Sequence, residues 1–299
     1  LINGIINVYK QKGYTSFDVV AIMRGILGQK KIGHTGTLDP DAEGVLPVCA
    51  GNATKLCDML TDKSKEYVAT FVLGIKTDTL DITGKVLEER KPKVSIEDLK
   101  ASINSFVGGY NQYPPMYSAK KINGKKLYEL ARDGKEVERK PVFVEIIGIE
   151  TMDISYPYVT IKVSCSKGTY IRSLCEDIGA KCGELACMTS LKRTRVGNFT
   201  LDKALTLDEI TALRDEGKLL QAVTPTDFAF LDKKEAKINP KFRKLLDNGN
   251  KLSPEMLDCK DVSDGEIVRV YNDDNVFVGL YTYEDSLKIF KPFKMFIGD

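Results

Sequence analysis

KIGHTGTLDPDAEG (residues 31–44) places three carboxylates, Asp39, Asp41 and Glu43, just beyond the only histidine of the chain, His34, on a loop framed by Gly33, Gly36 and Gly44. Alternating acids of this kind suggest a calcium loop, which needs oxygens at positions 1, 3 and 5, glycine at 6 and a bidentate Glu at 12. Counted from Asp39, the first four requirements are met, but position 12 is Ala50 and position 2 is Pro40. The match fails where ligand charge matters most. With one histidine and the scattered thiols Cys165, Cys175, Cys182 and Cys187, no zinc set has the usual spacing. There is no G-x-S-x-G elbow and no G-x-x-x-x-G-K-[ST] phosphate loop. What remains is a carboxylate on a glycine-framed loop, with Pro40 fixing the dihedral after Asp39. An Asx-turn capped by Asp39 and a catalytic nucleophile both fit, and the residues alone leave the two open.

The rest of the chain narrows the setting. Its 299 residues suffice for one large domain and a smaller one, and 42% hydrophobic with 29% charged residues is an ordinary globular composition. No apolar run is long enough to span a bilayer and no secretory leader opens the chain, so a cytoplasmic protein with seven reduced cysteines is expected. The net charge is only +2, yet basic residues cluster: Arg24, Lys30 and Lys31; Lys120, Lys121, Lys125 and Lys126; Lys192, Arg193 and Arg195. Such clusters can follow a phosphate backbone while acidic surfaces elsewhere cancel the total.

Patterning gives the elements. GIINVYK (4–10) predicts a strand, and SFDVVAIMRGILG (16–28) a helix with Ser16 as N-cap and Gly28 as its stop. VLPVCAG reads as a strand and NATKLCDMLTD as a helix behind it. KEYVATFVLG (65–74) alternates and is expected to be a strand buried on both faces. Ser95 and Asp98 cap a helix, VFVEIIGIETMDI and YVTIKVSCS pair as strands, TYIRSLCEDIGAKCG is a helix ending at Gly183, and Thr206 with Glu209 caps another. Without a regular βαβ rhythm the class is α+β. Beyond residue 232, EIVRVYN, VFVGLYTY and LKIFKPF predict a small β-rich domain over 233–299 whose charges balance.

Five ordered segments carry a family resemblance. GHTGTLDPDAEGVLPVCAGNATKL (33–56) resembles the catalytic motif of the bacterial tRNA pseudouridine-55 synthases. KEYVATFVLGIKTDTLDITG is similar to their tyrosine motif, YPPMYSAKKINGKKLYELAR to their RNA-gripping insertion, CSKGTYIRSLCEDIG to their arginine motif and LKRTRVGNF to their leucine motif. The C-terminal piece resembles, more loosely, the PUA domain of such enzymes.

The resemblance implies a catalytic domain over 1–232 with a mixed, largely antiparallel sheet, flanking helices and an insertion at about 111–140, followed by a PUA-like RNA-binding domain over 233–299. It implies an isomerase that flips uridine 55 out of the T-loop of tRNA and rejoins the base through C5, with Asp39 as nucleophile. Arg172 would pair with Asp39, Tyr67 would stack on the uracil and move the C5 proton, and Leu191 would wall the pocket. His34 would contact the opened loop, and Lys10, Lys30, Lys31, Lys120 and Lys121 would meet phosphates. Because the isomerisation loses no atoms and changes no oxidation state, no metal or organic cofactor is expected. Nor is an obligatory protein partner, and a monomer is expected. Asp41 and Glu43 are assigned no chemistry, while Asp78 and Asp81 read equally well as loop caps. Two departures stand out. Gln11 follows Lys10 where the family often has proline, and Phe17 stands where a polar residue is common. The rival readings are an RNA-folding protein that keeps the pocket and a guide-RNA-dependent synthase with the same site.

Overall fold

The computed structural model describes residues 1–296 except 119, 123, 135 and 136. The main sheet runs in the order Val223–Thr224, Gly4–Lys10, Glu43–Ala50, Ala186–Val196, Lys65–Leu73, Tyr158–Cys165, Val142–Ser155, Gly108–Gln112. All of these neighbours are antiparallel except one: Glu43–Ala50 meets Ala186–Val196 in parallel, through Lys192 with Glu43 and Arg193 with Gly44. At that contact Gly44 has φ 110° and a side chain on it would run into the Arg193 carbonyl, so the junction demands glycine. The sheet is mixed and largely antiparallel, as the family resemblance implied.

Helices Ile96–Asn104 and Ile171–Lys181 cover the half of the sheet that carries Tyr67, Ala69 and Phe71. Helices Ser16–Leu27 and Leu207–Asp215 cover the half that carries Ile6, Val8 and Leu46. Of these, Phe71, Ile6, Val8 and Leu46 each contribute about 1.5–3 kcal/mol on full burial. The Tyr67 strand is not buried on both faces as its alternation suggested. Its other side presents Glu66 and Thr70, only partly covered, with Thr70 in hydrogen-bond contact with Thr160 at 3.0 Å and Glu66 accepting from Thr194 at 2.8 Å. One polar sheet face therefore stays open.

The C-terminal sheet is separate, in the order Leu257–Asp258, Lys234–Ile238, Ile267–Tyr271, Phe277–Glu284, Ile289–Met295. It has its own core around Val268, Val270 and Tyr281, and packs through Leu280 and Phe296 on Leu56, Leu60 and Phe230 of the first body. Lys234–Ile238, too charged to be read as a strand, pairs in parallel with Ile267–Tyr271.

Candidate active site

Three buried side chains, Ser16, Lys10 and Arg193, hold the Asp39 loop. Helix Ser16–Leu27 is capped not by Ser16 but by Thr15, whose side chain accepts from the Asp18 N–H in a complete capping box. Ser16, freed from that duty and fully buried, accepts from the Leu38 N–H through its hydroxyl at 2.9 Å. Lys10 is also fully buried, and its Nζ donates to the carbonyls of Gln11, Pro40 and Ala42 at 3.1, 3.1 and 2.6 Å. All three of its donors are spent on backbone, so the expected phosphate contact is corrected: Lys10 braces the loop. From the neighbouring strand, Arg193 donates from Nε to the Val45 carbonyl at 2.7 Å and from Nη2 to the Gly36 carbonyl at 3.2 Å.

The three loop carboxylates diverge, each toward its own cation. Asp41 faces Lys12 at 3.8 Å, Glu43 faces Lys192 at 2.9 Å, and Asp39 meets Nη2 of Arg172 at 3.0 Å. Among the described residues, the Asp39 carboxylate meets Arg172 and takes no hydrogen bond from its own loop. Arg172 sits in the first turn of helix Ile171–Lys181 and is almost fully buried. Its Nη1 donates to the Thr79 carbonyl at 2.9 Å and lies 3.5 Å from Asp81, while Nη2 donates to the Tyr117 carbonyl at 2.9 Å. Asp81 also caps its own turn: its other oxygen accepts from the Thr83 N–H and the Thr79 hydroxyl at 3.1 Å each. The guanidinium is thus fixed before any ligand arrives, which aims the Asp39 carboxylate and leaves that carboxylate half exposed.

Asp39 and Arg172 open onto a cavity of about 320 Å³ whose walls include Tyr67, Leu191, Ser118, Tyr170, Lys65 and Arg193. That is the small end of ligand pockets. Tyr67 is buried beside Arg193, its partner across the strands. Burial pushes the Tyr67 hydroxyl up while the guanidinium of Arg193 pulls it down. Burial likewise lowers Arg193.

Of the residues expected from sequence, Asp39, Tyr67, Arg172 and Leu191 meet at this cavity. His34 lies beside it: its Nδ1 accepts from the Gly36 N–H at 3.3 Å and its ring meets exposed Phe17 edge-on at 5.4 Å. Burial first, then Arg193, lowers its proton affinity. Lys30 is exposed, Lys31 donates to the Asn52 side chain at 3.2 Å, and Lys120 is partly buried; none of the three lines the cavity. The Lys121 side chain lies outside the described residues. Sequence reasoning missed Arg193 and Lys65, and filed the former among surface charges. Among the described residues, no group of three or more His, Cys, Asp or Glu side chains is placed to hold a metal ion, and no helix is long and apolar enough to cross a membrane.

Burial also pushes the Lys10 ammonium down, to about 8 against 10.5 when exposed. Between those values the unfolded chain binds the proton and the folded chain releases it, so Lys10 contributes stability that grows with pH across this window. The destabilisation caused by Lys10→Met should therefore increase by about 1 kcal/mol per pH unit from pH 8 to 10. Urea unfolding of both proteins at three pH values measures it; a constant difference would give Lys10 an ordinary proton affinity.

Comparison with known proteins matches the chain to one family over most of its length. The model of TruB family pseudouridylate synthases (N-terminal domain) matches residues 24–171, and that of the tRNA pseudouridylate synthase B C-terminal domain matches residues 172–231. The chain is 51% identical to tRNA pseudouridine synthase B of Lachnoclostridium phytofermentans, over 99% of this chain and 100% of that one. It is 47% identical to tRNA pseudouridine synthase B of Clostridium tetani, over 93% and 94% of the two chains. Among solved structures it superposes with a TM-score of 0.77 on a chain of a Cbf5-Nop10-Gar1 complex, at 26% identity over 98% of this chain and 85% of that one. Identity of this extent over whole chains, on a shared fold, settles the family: the chain belongs to the TruB family of pseudouridylate synthases.

Proposed function

We propose that this chain, a tRNA uridine isomerase of the TruB family, converts uridine 55 of the tRNA T-loop to pseudouridine with Asp39 as nucleophile. The observation that carries the reading is the Asp39–Arg172 pair at 3.0 Å, on the rim of a base-sized cavity that also holds Tyr67. Arg172 orients the carboxylate. The N1–C1′ bond is cut, the base turns within the cavity, and C5 joins C1′ while its proton leaves. Leu191 supplies an apolar wall for the ring. Tyr67 stacks on it and relays the C5 proton, with Arg193 at its hydroxyl. A target inside the folded T-loop has to leave its stack first, and His34 with exposed Phe17 offers an aromatic edge beside the vacated position. Lys30 and Lys120, outside the cavity, would meet phosphates.

In the same reading the chain divides at residue 232. Residues 1–232 form the catalytic domain, with the insertion at about 111–140 gripping RNA, and residues 233–299 form a PUA-like RNA-binding domain. The independent core of the C-terminal sheet supports that division.

Tyr67→Phe keeps the ring and loses the hydroxyl. It should bind tRNA within about twofold of the parent and turn over about 10³-fold more slowly; an unaltered rate would remove the hydroxyl from the proton relay. The position is tested by mapping pseudouridine in an unmodified tRNA transcript after incubation. The reading requires product at 55 and none in a transcript with cytidine there. Product at another uridine would reassign the site.

A further inference from the structure

Two cations in the cavity wall have no carboxylate partner. Arg193 is fully buried and Lys65 nearly so, and among the described residues neither forms an ion pair with Asp or Glu. Burying unpaired charge is costly, and placing two like charges on one cavity adds to the cost. Lys10 is the internal contrast: it is equally buried, but all three of its donors are used and it does not line the cavity. Lys65 Nζ donates to the Thr61 and Lys63 carbonyls, which leaves one of its three N–H groups unassigned at the cavity wall. Burial, and next Arg193, hold its ammonium down to about 8. An arrangement that is unfavourable when empty becomes favourable when an anion enters.

We propose that Lys65 and Arg193 form a subsite for the uracil anion, stabilising the base while it is detached from the sugar. The inference rests on the isomerase reading above. In that step an Asp39 oxygen bonds to C1′ and the N1–C1′ bond breaks, its electron pair leaving with the base. The carboxylate charge is thereby replaced by one spread over N1, O2 and O4 of the ring. The anion turns between the two cations, C5 attacks C1′ and expels the Asp39 carboxylate, the C5 proton departs and N1 takes up a proton. Charge and atoms balance without a co-reactant. Fixed cations in a dry cavity act far more strongly on such a charge than they would in water.

The test uses tRNA transcripts carrying uridine or 5-fluorouridine at position 55, because fluorine makes the departing base less basic and less dependent on outside stabilisation. Single-turnover loss of the N-linked nucleoside is followed by nuclease digestion and chromatography. Lys65→Gln keeps donors for the two carbonyls and removes the charge; Lys65→Arg keeps the charge. The Gln variant should lose about 100-fold on uridine and no more than about 10-fold on 5-fluorouridine. The Arg variant should stay within about 10-fold of the parent on both substrates, and tRNA affinity should be unchanged in both variants. Equal losses on the two bases, or a Gln variant as fast as the parent, would overturn the subsite while leaving the isomerase reading intact. No conversion of uridine by the parent would overturn both.

Discussion

Asp39→Asn should lower isomerisation by at least about 10⁴-fold, the scale seen when a covalent nucleophile is removed, while tRNA affinity changes by less than about threefold. The amide keeps the size of the side chain and can still approach Arg172, so the loop has no reason to move. Its anchors are Ser16, Lys10 and Arg193, all of which bond its backbone. Stability should fall by no more than about 1 kcal/mol, because Asp39 is half exposed and an ion pair with an exposed partner contributes little. Single-turnover kinetics and filter binding on one preparation separate the two effects. A variant that turned over within tenfold of the parent would return the loop to scaffolding.

Arg172→Met should damage both activity and stability. Arg172 links four segments: the Asp39 loop, the Thr79–Asp81 turn, Tyr117 in the insertion and its own helix. Its removal leaves Asp81 partly buried without its cation, together with two carbonyls that lose their donors. Breaking a buried pair from one side costs about 3–5 kcal/mol, and the lower figure applies here because Asp39 can turn to water. Activity should drop by about 10³-fold, since the carboxylate loses the group that aims it. Arg172→Lys restores a charge but cannot span all four contacts from one planar fork, so it should recover stability more than rate. Urea unfolding and single-turnover assays of both variants decide the matter. A Met variant as stable as the parent would mean that the guanidinium does not hold these segments together.

Much of this was readable from the residues, for reasons that differ by element. Gly28, Thr206 with Glu209, and Ser95 with Asp98 carry local signals, and local signals are what a sequence states openly. The strand Ala186–Val196 was not read at all. Its register slips between Met188 and Ser190 and again between Arg193 and Arg195, so the two-residue alternation that announces a strand is broken twice. With it went Arg193, which looks solvated within LKRTR yet is buried opposite Tyr67. Lys10 was misread for a related reason. The carbonyls of Pro40 and Ala42 that consume its donors lie some thirty residues away, and backbone acceptors leave no trace in composition. The Asp39–Arg172 pair joins residues far apart in the chain, and only the ordered motifs of a family resemblance brought them together. Ser16 shows the limit at its finest: a shift of one residue turns an expected helix cap into an anchor of the Asp39 loop.

The most direct measurement is tritium release from an unmodified tRNA transcript carrying [5-³H]uridine, for the parent and for Asp39→Asn, in buffer containing a chelator. The account predicts release by the parent at the full rate of chelator-free buffer, and none above background by the variant. Tight tRNA binding without release by the parent, or release by Asp39→Asn, would contradict it.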